Sequence, residues 1–465
     1  MTAPTFHLIS LGCAKNTVDS ESMAQLLQRD GYRAVGDAAK AQVLVVNTCG
    51  FIGPAKKESI DTLRELAAAK RRGQLLIAAG CLTQRYGMEV AQQVPGIDGI
   101  LGTRRWMDIV TLVRDLRDGG QPEARYHLPS EAVTVGKDEA ETLRASVAGA
   151  SAYLKIADGC RRPCAFCAIP LIKSTAVSRP MSRIVEEARQ LRDAGVRELV
   201  LIAQDTTDYG HDLGLKDGLA VLLEQLVAAV PDMDWIRIMY AFPGYVTERL
   251  IDVMATHEQI LRYLDMPLQH AHPKTLYRMR RPSNIEWVRR TLAQMRSAMP
   301  DLAVRSTFIV GYPGETEGEF EALMNFIMEM RFDRVGAFQF SFEPGTSSEP
   351  LGDPIPSEVK QMRFDRLMAA QQGISLQLNQ SQVGRTLEVL IEGRDSNFAV
   401  GRSYRDAPEI DGLVFVEGEA NVGELVAAKI TGAMPYDLAA LPIEARRTGS
   451  SPPLVQIDNR RAAAA

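Results

Sequence analysis

The chain of 465 residues reads as an α/β protein in three parts: an N-terminal parallel α/β sheet domain, a partial six-unit β/α barrel, and a small C-terminal all-β barrel. Three observations predict this. Apolar strands alternate with helical stretches twice along the chain, the pattern of parallel sheets covered on both faces. Near residue 384 that alternation gives way to short strands broken by Gly, Asp and Asn. Six cysteines fall into two sets of three, Cys13, Cys49 and Cys81, then Cys160, Cys164 and Cys167, and none follows.

Each cysteine of the first set ends a similar phrase. The apolar run Phe6 to Leu11 leads into Gly12-Cys13 and a helical stretch through Met23, Leu26 and Leu27 that stops at Asp30-Gly31. Val43 to Val46 reads as a buried strand, followed by Asn47-Thr48-Cys49 and a helix from about Lys56 to Arg71, closed by Gly73. Leu75 to Ala79 is a third strand, followed by Gly80-Cys81 and a helix from about Thr83 to Val94. In a parallel sheet the strand C-termini share one edge, where ligands bind. Three cysteines distant in sequence are therefore expected to meet at one edge.

The first domain is expected to span 1–117, and residues 118–150, rich in Gly, Pro, Glu and Ala, read as a connector with room for a strand or two. The barrel, 151–356, has six predicted strands: Ala152 to Ala157, Glu198 to Ala203, Trp235 to Tyr240, Tyr263 to Met266, Val304 to Val310 and Arg334 to Phe340. Helical stretches lie between them. Six units suit a partial, open barrel better than the closed eight-unit form. A linking helix is expected over 357–383. The small barrel, 384–441, has predicted strands at Thr386–Ile391, Val414–Val416 and Leu425–Ile430. The tail, 442–465, ends in Arg460-Arg461 and four alanines and is expected to be disordered.

Composition narrows the function. Apolar residues make up 46% and charged residues 24%, the balance of a folded globular chain. A chain this long buries a sizeable core without covalent staples, so its cysteines need another explanation. A net charge of −5 gives no global attraction to nucleic acid or to an anionic membrane. No apolar run approaches the ~18 residues that would span a bilayer. Leu11-Gly12-Cys13 could pass for a lipoprotein cleavage site, but no Lys or Arg precedes Cys13, as a secretory n-region requires. The expected compartment is the cytoplasm, where unpaired thiols stay reduced.

The second cysteine set, Cys160-Arg161-Arg162-Pro163-Cys164-Ala165-Phe166-Cys167, has C-x3-C-x2-C spacing on the loop after the first barrel strand. Three thiolates on one tight loop can hold three corners of a 4Fe-4S cubane and leave the fourth iron open. An open iron can chelate the amine and carboxylate of S-adenosylmethionine. Reduction of its sulfonium then releases a 5′-deoxyadenosyl radical, so the cofactor carries the hard step. The plain alternative is a zinc site of three Cys and a His. Zinc usually takes paired C-x2-C elements and four closed ligands, and no second pair or nearby His follows. The first set has no compact spacing. Buried structural cysteines, or a redox disulfide with one spare, are its plain alternatives. Repetition at one structural position favours a second three-cysteine cluster.

Other candidates sit on barrel loops. His270 and His272 lie in a Gln-His-Ala-His-Pro turn, where capping is as ready an explanation as catalysis. Gln204-Asp205-Thr206-Thr207 follows a strand, where polar groups line substrate crevices. Gly311-Tyr312-Pro313-Gly314-Glu315 allows close backbone approach to a nucleoside, though glycine turns after strands are common. Beyond the cluster ligands no catalytic residue is assigned. Hydrogen abstraction from carbon by a radical needs no tuned general base.

Several phrases together resemble the radical S-adenosylmethionine methylthiotransferases over about residues 6–440. They are Ser10-Leu11-Gly12-Cys13-Ala14-Lys15-Asn16 with Asp19-Ser20-Glu21, Asn47-Thr48-Cys49-Gly50-Phe51-Ile52, Cys81-Leu82-Thr83-Gln84-Arg85-Tyr86, Gln204 to Gly210, Pro267-Leu268-Gln269-His270, and Thr307 to Thr316. The resemblance implies a radical S-adenosylmethionine barrel and a C-terminal TRAM-type β barrel. It implies that Cys160, Cys164 and Cys167 hold the cluster that cleaves S-adenosylmethionine, and that Cys13, Cys49 and Cys81 hold an auxiliary cluster presenting sulfur or methylthio. Two 4Fe-4S clusters and two molecules of S-adenosylmethionine, methyl donor and radical source, follow. Phe166 would occupy the aromatic position that packs near the adenine.

One stretch departs from the family pattern. After Ile169-Pro170 the family runs through a Gly-Lys element to Arg-Ser-Arg-Pro. This chain has Leu171 to Ser178 before Arg179-Pro180, without that glycine and one arginine. The loop's substrate and cofactor contacts are thereby put in doubt.

Within the family the chain looks most like the branch that methylthiolates the β-carbon of an aspartate in small-subunit ribosomal protein twelve. The rival is a tRNA adenosine. Between Gly384 and Leu441 stand five basic residues, Arg385, Arg394, Arg402, Arg405 and Lys429, against ten acidic ones, a balance of −5. An RNA-binding module should offer a basic footprint, whereas an acidic module suits a basic ribosomal protein. A reading of another class, a non-catalytic iron–sulfur electron carrier or scaffold, predicts no cleavage of S-adenosylmethionine. The sulfur donor and the reductant are not legible.

Overall fold

The computed structural model describes residues 3–119, 125–128, 141–395, 397–445 and 458–459. The first domain contains β1 (Thr5–Ser10), α1 (Ala14–Arg29), β2 (Arg33–Ala34), β3 (Val43–Thr48), α2 (Gly53–Ala69), β4 (Leu75–Gly80), α3 (Cys81–Gln93), β5 (Gly99–Gly102), α4 (Ile109–Gly119) and β6 (Arg125–His127). Its strands lie in the order β2-β1-β3-β4-β5-β6, all parallel. β3 is buried along its whole length, because both faces are covered. One apolar layer, with Met23, Leu27 and Val113, covers one face, and another, with Leu63, Leu82 and Val90, covers the other.

The connector holds β6, which joins this sheet, and β7 (Ala145–Ala148). The barrel follows with β8 (Ser151–Lys155), β9 (Ala157–Asp158), α5 (Ile169–Lys173), β10 (Val177–Ser178), α6 (Met181–Asp193), β11 (Glu198–Ile202), α7 (Gly218–Ala229), β12 (Trp235–Ile238), α8 (Glu248–Thr256), β13 (Tyr263–Asp265), α9 (Pro273–Arg278), α10 (Ile285–Ala298), β14 (Ala303–Val310), α11 (Glu317–Met330) and β15 (Arg334–Gln339). All six strands expected from sequence are present. β8, β11 and β12 are parallel neighbours, β13, β14 and β15 likewise, and an Ile236–Ile260 bridge joins the two groups. β7 caps the open edge antiparallel to β8. β9 and β10 form a small antiparallel pair that frames the loop carrying the second cysteine set.

Helix α12 (Ser357–Gln380) leads to β16 (Thr386–Arg394), β17 (Phe398–Ser403), β18 (Val414–Glu417), β19 (Leu425–Ala433) and β20 (Leu438–Ala445), closed in the order β16-β17-β18-β20-β19. β17 and β20 were not expected. β17 hides its signal behind a buried Arg402 and behind Gly401, whose added Cβ would fall 2.3 Å from the Leu390 carbonyl oxygen. β20 carries Pro442 and continues past residue 441 to Ala445; of the remaining tail only Asp458–Asn459, paired with β1, lie within the described residues.

The small barrel seals the N-terminal ends of the β/α barrel strands. Leu390, Ala407 and Leu425 join Tyr153, Trp235, Tyr263 and Ala303 in one core. The C-terminal strand ends stay open toward the N-terminal domain. Among the described residues no helix is long and apolar enough to cross a membrane.

Candidate functional site

Both cysteine sets stand at C-terminal strand ends. Cys13 is the N-cap residue of α1, Cys49 follows β3, and Cys81 is the first residue of α3, two residues earlier than the sequence suggested. Backbone geometry draws these loops together. An added Cβ on Gly12 (φ +93°) would lie 2.8 Å from Cys49 Cβ and 2.9 Å from its Sγ. One on Gly50 would lie 2.6 Å from Leu82 Cα. Only glycine permits both approaches. Asn16 fastens the arrangement, its side-chain amide donating to the carbonyls of Leu11 (2.6 Å) and Asn47 (3.1 Å). Burial pushes the Cys49 thiol up to about 12, with Cys81 and Cys13 adding to the shift, and burial pushes Cys81 up to about 11. Cys81 and Cys13 thus both act on Cys49, and Cys13 acts on Cys81. Burial favours the protonated forms of Cys49 and Cys81, whose protons a bound metal would displace.

The second set lies on residues 159–176, after β8 and β9. The Cys160 N–H donates to the Ser174 carbonyl at 3.0 Å. Each sulfur receives one hydrogen bond of 3.5 Å: from the Arg162 N–H to Cys160, from Arg281 Nη1 to Cys164, and from the Ile169 N–H to Cys167. Hydrogen bonds to cluster sulfurs are a main lever on iron–sulfur potentials. Burial pushes Cys160 up to about 11 and Cys167 up to about 12. The cysteines are all free thiols. Among the described residues no three His, Cys, Asp or Glu side chains converge on a single ion. Ligands to separate corners of a cluster need no such convergence. Three free thiols with three sulfur-directed donors fit a cluster with one open iron.

The two arginines inside the second loop are pinned to the next one. Arg162 Nε donates to Asp205 at 2.5 Å, Arg161 grips Asp208 with Nε (2.8 and 2.9 Å) and Nη2 (2.5 Å), and Thr207 Oγ1 donates to Asp205 at 2.6 Å. The Arg162 guanidinium stands 3.6 Å from the Tyr245 ring centroid and 4.7 Å from that of Phe242, while Arg281 covers Phe242 at 4.2 Å. From the segment Gln204 to Thr207, expected to line a substrate crevice, Asp205 supplies a clamp on the cluster loop. Sequence reasoning missed these arginines, although both lie inside the cysteine motif.

Phe166 packs on Met279, Ile309, Tyr312 and Phe340. His270 is buried, and its Nδ1 accepts from the His272 N–H at 2.9 Å, while His272 sits at the rim 3.5 Å from Glu319. Neither histidine approaches a cysteine by any hydrogen bond described. Glu315 bends back to accept from the Tyr312 N–H at 3.0 Å, which locks the Gly311 turn.

The two domains meet over these edges. Lys56 and Arg85, on α2 and α3, converge on Glu343 beyond β15 at 2.5 and 2.7 Å. Arg104 donates to the carbonyls of Ile172 and Leu171 at 2.9 and 2.8 Å. Asp19 of α1 bonds Lys155, Lys173 and Arg144 at 2.6, 2.7 and 2.7 Å. Nothing local in the sequence around Asp19 marks it as an interdomain link.

An open barrel with a three-thiol loop at its mouth defines a radical S-adenosylmethionine protein, and the Radical SAM superfamily model matches residues 154–327. The uncharacterized family UPF0004 matches residues 5–102 and the TRAM domain residues 383–443. The chain belongs to the family of the ribosomal protein uS12 methylthiotransferase RimO. It is 48% identical over 460 residues to the protein of that name from Roseiflexus sp. (strain RS-1), covering 95% of this chain and 97% of the relative. It is 49% identical over 450 residues to that of Chloroflexus aurantiacus, covering 93% and 98%. Among solved structures, the radical S-adenosylmethionine methyltransferase TsrM from Kitasatospora setae superposes with a TM-score of 0.58 at 13% identity, over 75% of this chain and 74% of that one. That likeness concerns the fold alone. Membership of the superfamily implies S-adenosylmethionine and a 4Fe-4S cluster.

Proposed function

We propose that this chain methylthiolates the β-carbon of an aspartate in ribosomal protein uS12, using two 4Fe-4S clusters and two molecules of S-adenosylmethionine, one the methyl donor and one the radical source. The observation that supports this reading is that a three-thiol set stands at C-terminal strand ends in each of two domains, which Lys56–Glu343 and Arg104–Ile172 join. When bound, the barrel cluster with S-adenosylmethionine supplies a carbon-centred radical, and the second cluster supplies the sulfur. Cys160, Cys164 and Cys167 hold the first cluster, and Cys13, Cys49 and Cys81 the second. Asp205 and Asp208 fix the first loop through Arg162 and Arg161. Phe166 offers an aromatic face for the adenine beside Tyr312 and Phe340. The cytoplasm suits this chemistry, because the thiols must stay reduced.

Charge on the small barrel favours the protein over tRNA. Asp406, Asp411 and Glu424 are buried, as are Arg402 and Arg405. Seven acids against three bases then remain wholly or partly exposed. Because this barrel sits at the end away from the cysteine loop, its charge acts by steering a basic partner during encounter.

The test is anaerobic incubation of the reconstituted enzyme with uS12 and with tRNA, S-adenosylmethionine, sulfide and reductant, followed by mass spectrometry. The expected result is a methylthio gain on an aspartate of uS12, lost in Cys160→Ala. A gain on tRNA adenosine would overturn the substrate, and no gain together with no 5′-deoxyadenosine would overturn the activity.

A further inference from the structure

Lys15, the second residue of α1, is a cation without an anion. Two residues beyond Cys13, it crosses from the N-terminal domain to the barrel, where its Nζ stands 3.1 Å from the centroid of the Tyr240 ring. One helical turn on, Asp19 is its ordinary i,i+4 partner, but Asp19 is taken by Arg144, Lys155 and Lys173. Among the described residues no carboxylate comes within ion-pair distance of Lys15. The first turn of α1 holds no acidic residue and Cys13 gives it no side-chain cap, so nothing there offsets the positive end of the helix dipole. Lys15 is only 6% exposed, yet its nitrogen, unlike Arg144 Nε, is not sealed from solvent.

Tyr240 is fixed beneath that ammonium. It follows β12 at the C-terminal edge of the barrel with φ +62°, a conformation that L side chains rarely adopt. Its N–H donates to Asp265 Oδ2 at 3.0 Å, and its carbonyl accepts from the Thr206 N–H at 3.1 Å and from Thr206 Oγ1 at 3.3 Å. Ala14 and Tyr240 pack on the same core, which seats the start of α1 beside the ring. Backbone strain that neighbouring groups over-determine is concentrated at ligand sites. The ring attracts the ammonium without neutralising it, so the charge stays available to an anion entering at the barrel mouth.

We infer that Lys15 is a substrate-binding residue whose ammonium receives the carboxylate of the aspartate to be modified. The inference rests on the proposed function and adds to it how the aspartate is chosen. The β-carbon bears that carboxylate directly, so anchoring the carboxylate two residues from Cys13 holds the reacting carbon one bond away. Asparagine has the same shape, but it would leave the cation unpaired, which is how a polar site rejects an uncharged analogue.

The test measures binding of the full-chain reconstituted enzyme, with S-adenosylmethionine present, to uS12 carrying either Asp or Asn at the modified position. The native enzyme should bind the Asp form about 10- to 100-fold more tightly. In Lys15→Met and in Lys15→Gln that preference should disappear, while iron and sulfide per chain and affinity for S-adenosylmethionine stay unchanged. Equal binding of the two forms by the native enzyme overturns the inference, as does an undiminished preference in either variant. Loss of iron and sulfide in the variants assigns the charge to the cysteine site and also overturns it. So does weakened binding of S-adenosylmethionine with the Asp preference kept, which assigns the charge to the cofactor's carboxylate. If the native enzyme forms no methylthio product on uS12, the proposed function falls and the inference with it. Product on uS12 with a preference indifferent to Lys15 removes the inference alone.

Discussion

Arg402 of the small barrel and Glu198 at the start of β11 form a fully buried ion pair, with Arg402 Nη2 donating to Glu198 Oε2 at 2.6 Å. Arg237 completes the site from β12, its Nε donating to Glu198 Oε1 at 2.7 Å. Burial opposes the charge on Glu198, but Arg402 and Arg237 prevail and hold the carboxyl at about 2. A carboxyl depressed in the folded state contributes stability that is complete above its unfolded value and is lost as pH falls through the folded one. The contact between the two barrels should therefore hold above about pH 4.5 and weaken toward pH 2. Arg402→Met would leave a buried carboxylate half-compensated, at a cost of about 3–5 kcal/mol. Urea unfolding at pH 7 measures this, and limited proteolysis should release the small barrel first.

Ser174 occupies φ +63°, ψ −161°, where L side chains are strained. The strain is worth about 1–3 kcal/mol, and glycine's extra unfolded-state entropy returns about 0.5–1 kcal/mol of that. Ser174→Gly should thus stabilise the chain by about 1 kcal/mol, seen as a rise in Tm. The loop stays in place because Gly159 packs on Thr175, whose carbonyl oxygen would be 1.9 Å from an added Cβ.

Gly12→Ala should destroy the approach of the Cys13 and Cys49 loops, since both the contact and the positive φ forbid a side chain. Reconstituted protein should lose about half its iron and keep the ability to cleave S-adenosylmethionine. Iron analysis together with 5′-deoxyadenosine quantitation checks the two halves separately.

Glu417→Lys with Glu419→Lys reverses two exposed charges on the small barrel, far from the cysteine loop. The association rate with a basic protein substrate should fall and lose much of its salt dependence, while turnover at saturation is unchanged. Stopped-flow binding at two ionic strengths gives the answer.

The sequence by itself determined the three-part architecture, the six barrel strands and the two cysteine sets. These rest on local signals, namely hydrophobic periodicity, glycines before cysteines and the C-x3-C-x2-C spacing, which a chain carries whatever it packs against. Tertiary structure alone decided the rest. It put the small barrel at the sealed end of the β/α barrel and buried part of its charge in pairs such as Arg402–Glu198 and Arg334–Asp406. It turned Asp205 into a clamp for Arg162 and drew Asp19, Lys155 and Lys173 together, although 136 and 154 residues separate Asp19 from the two lysines. A charged residue looks the same in sequence whether it faces water or a buried partner. Its role is set by desolvation and by the opposite charge it meets, and both exist only once distant segments have packed.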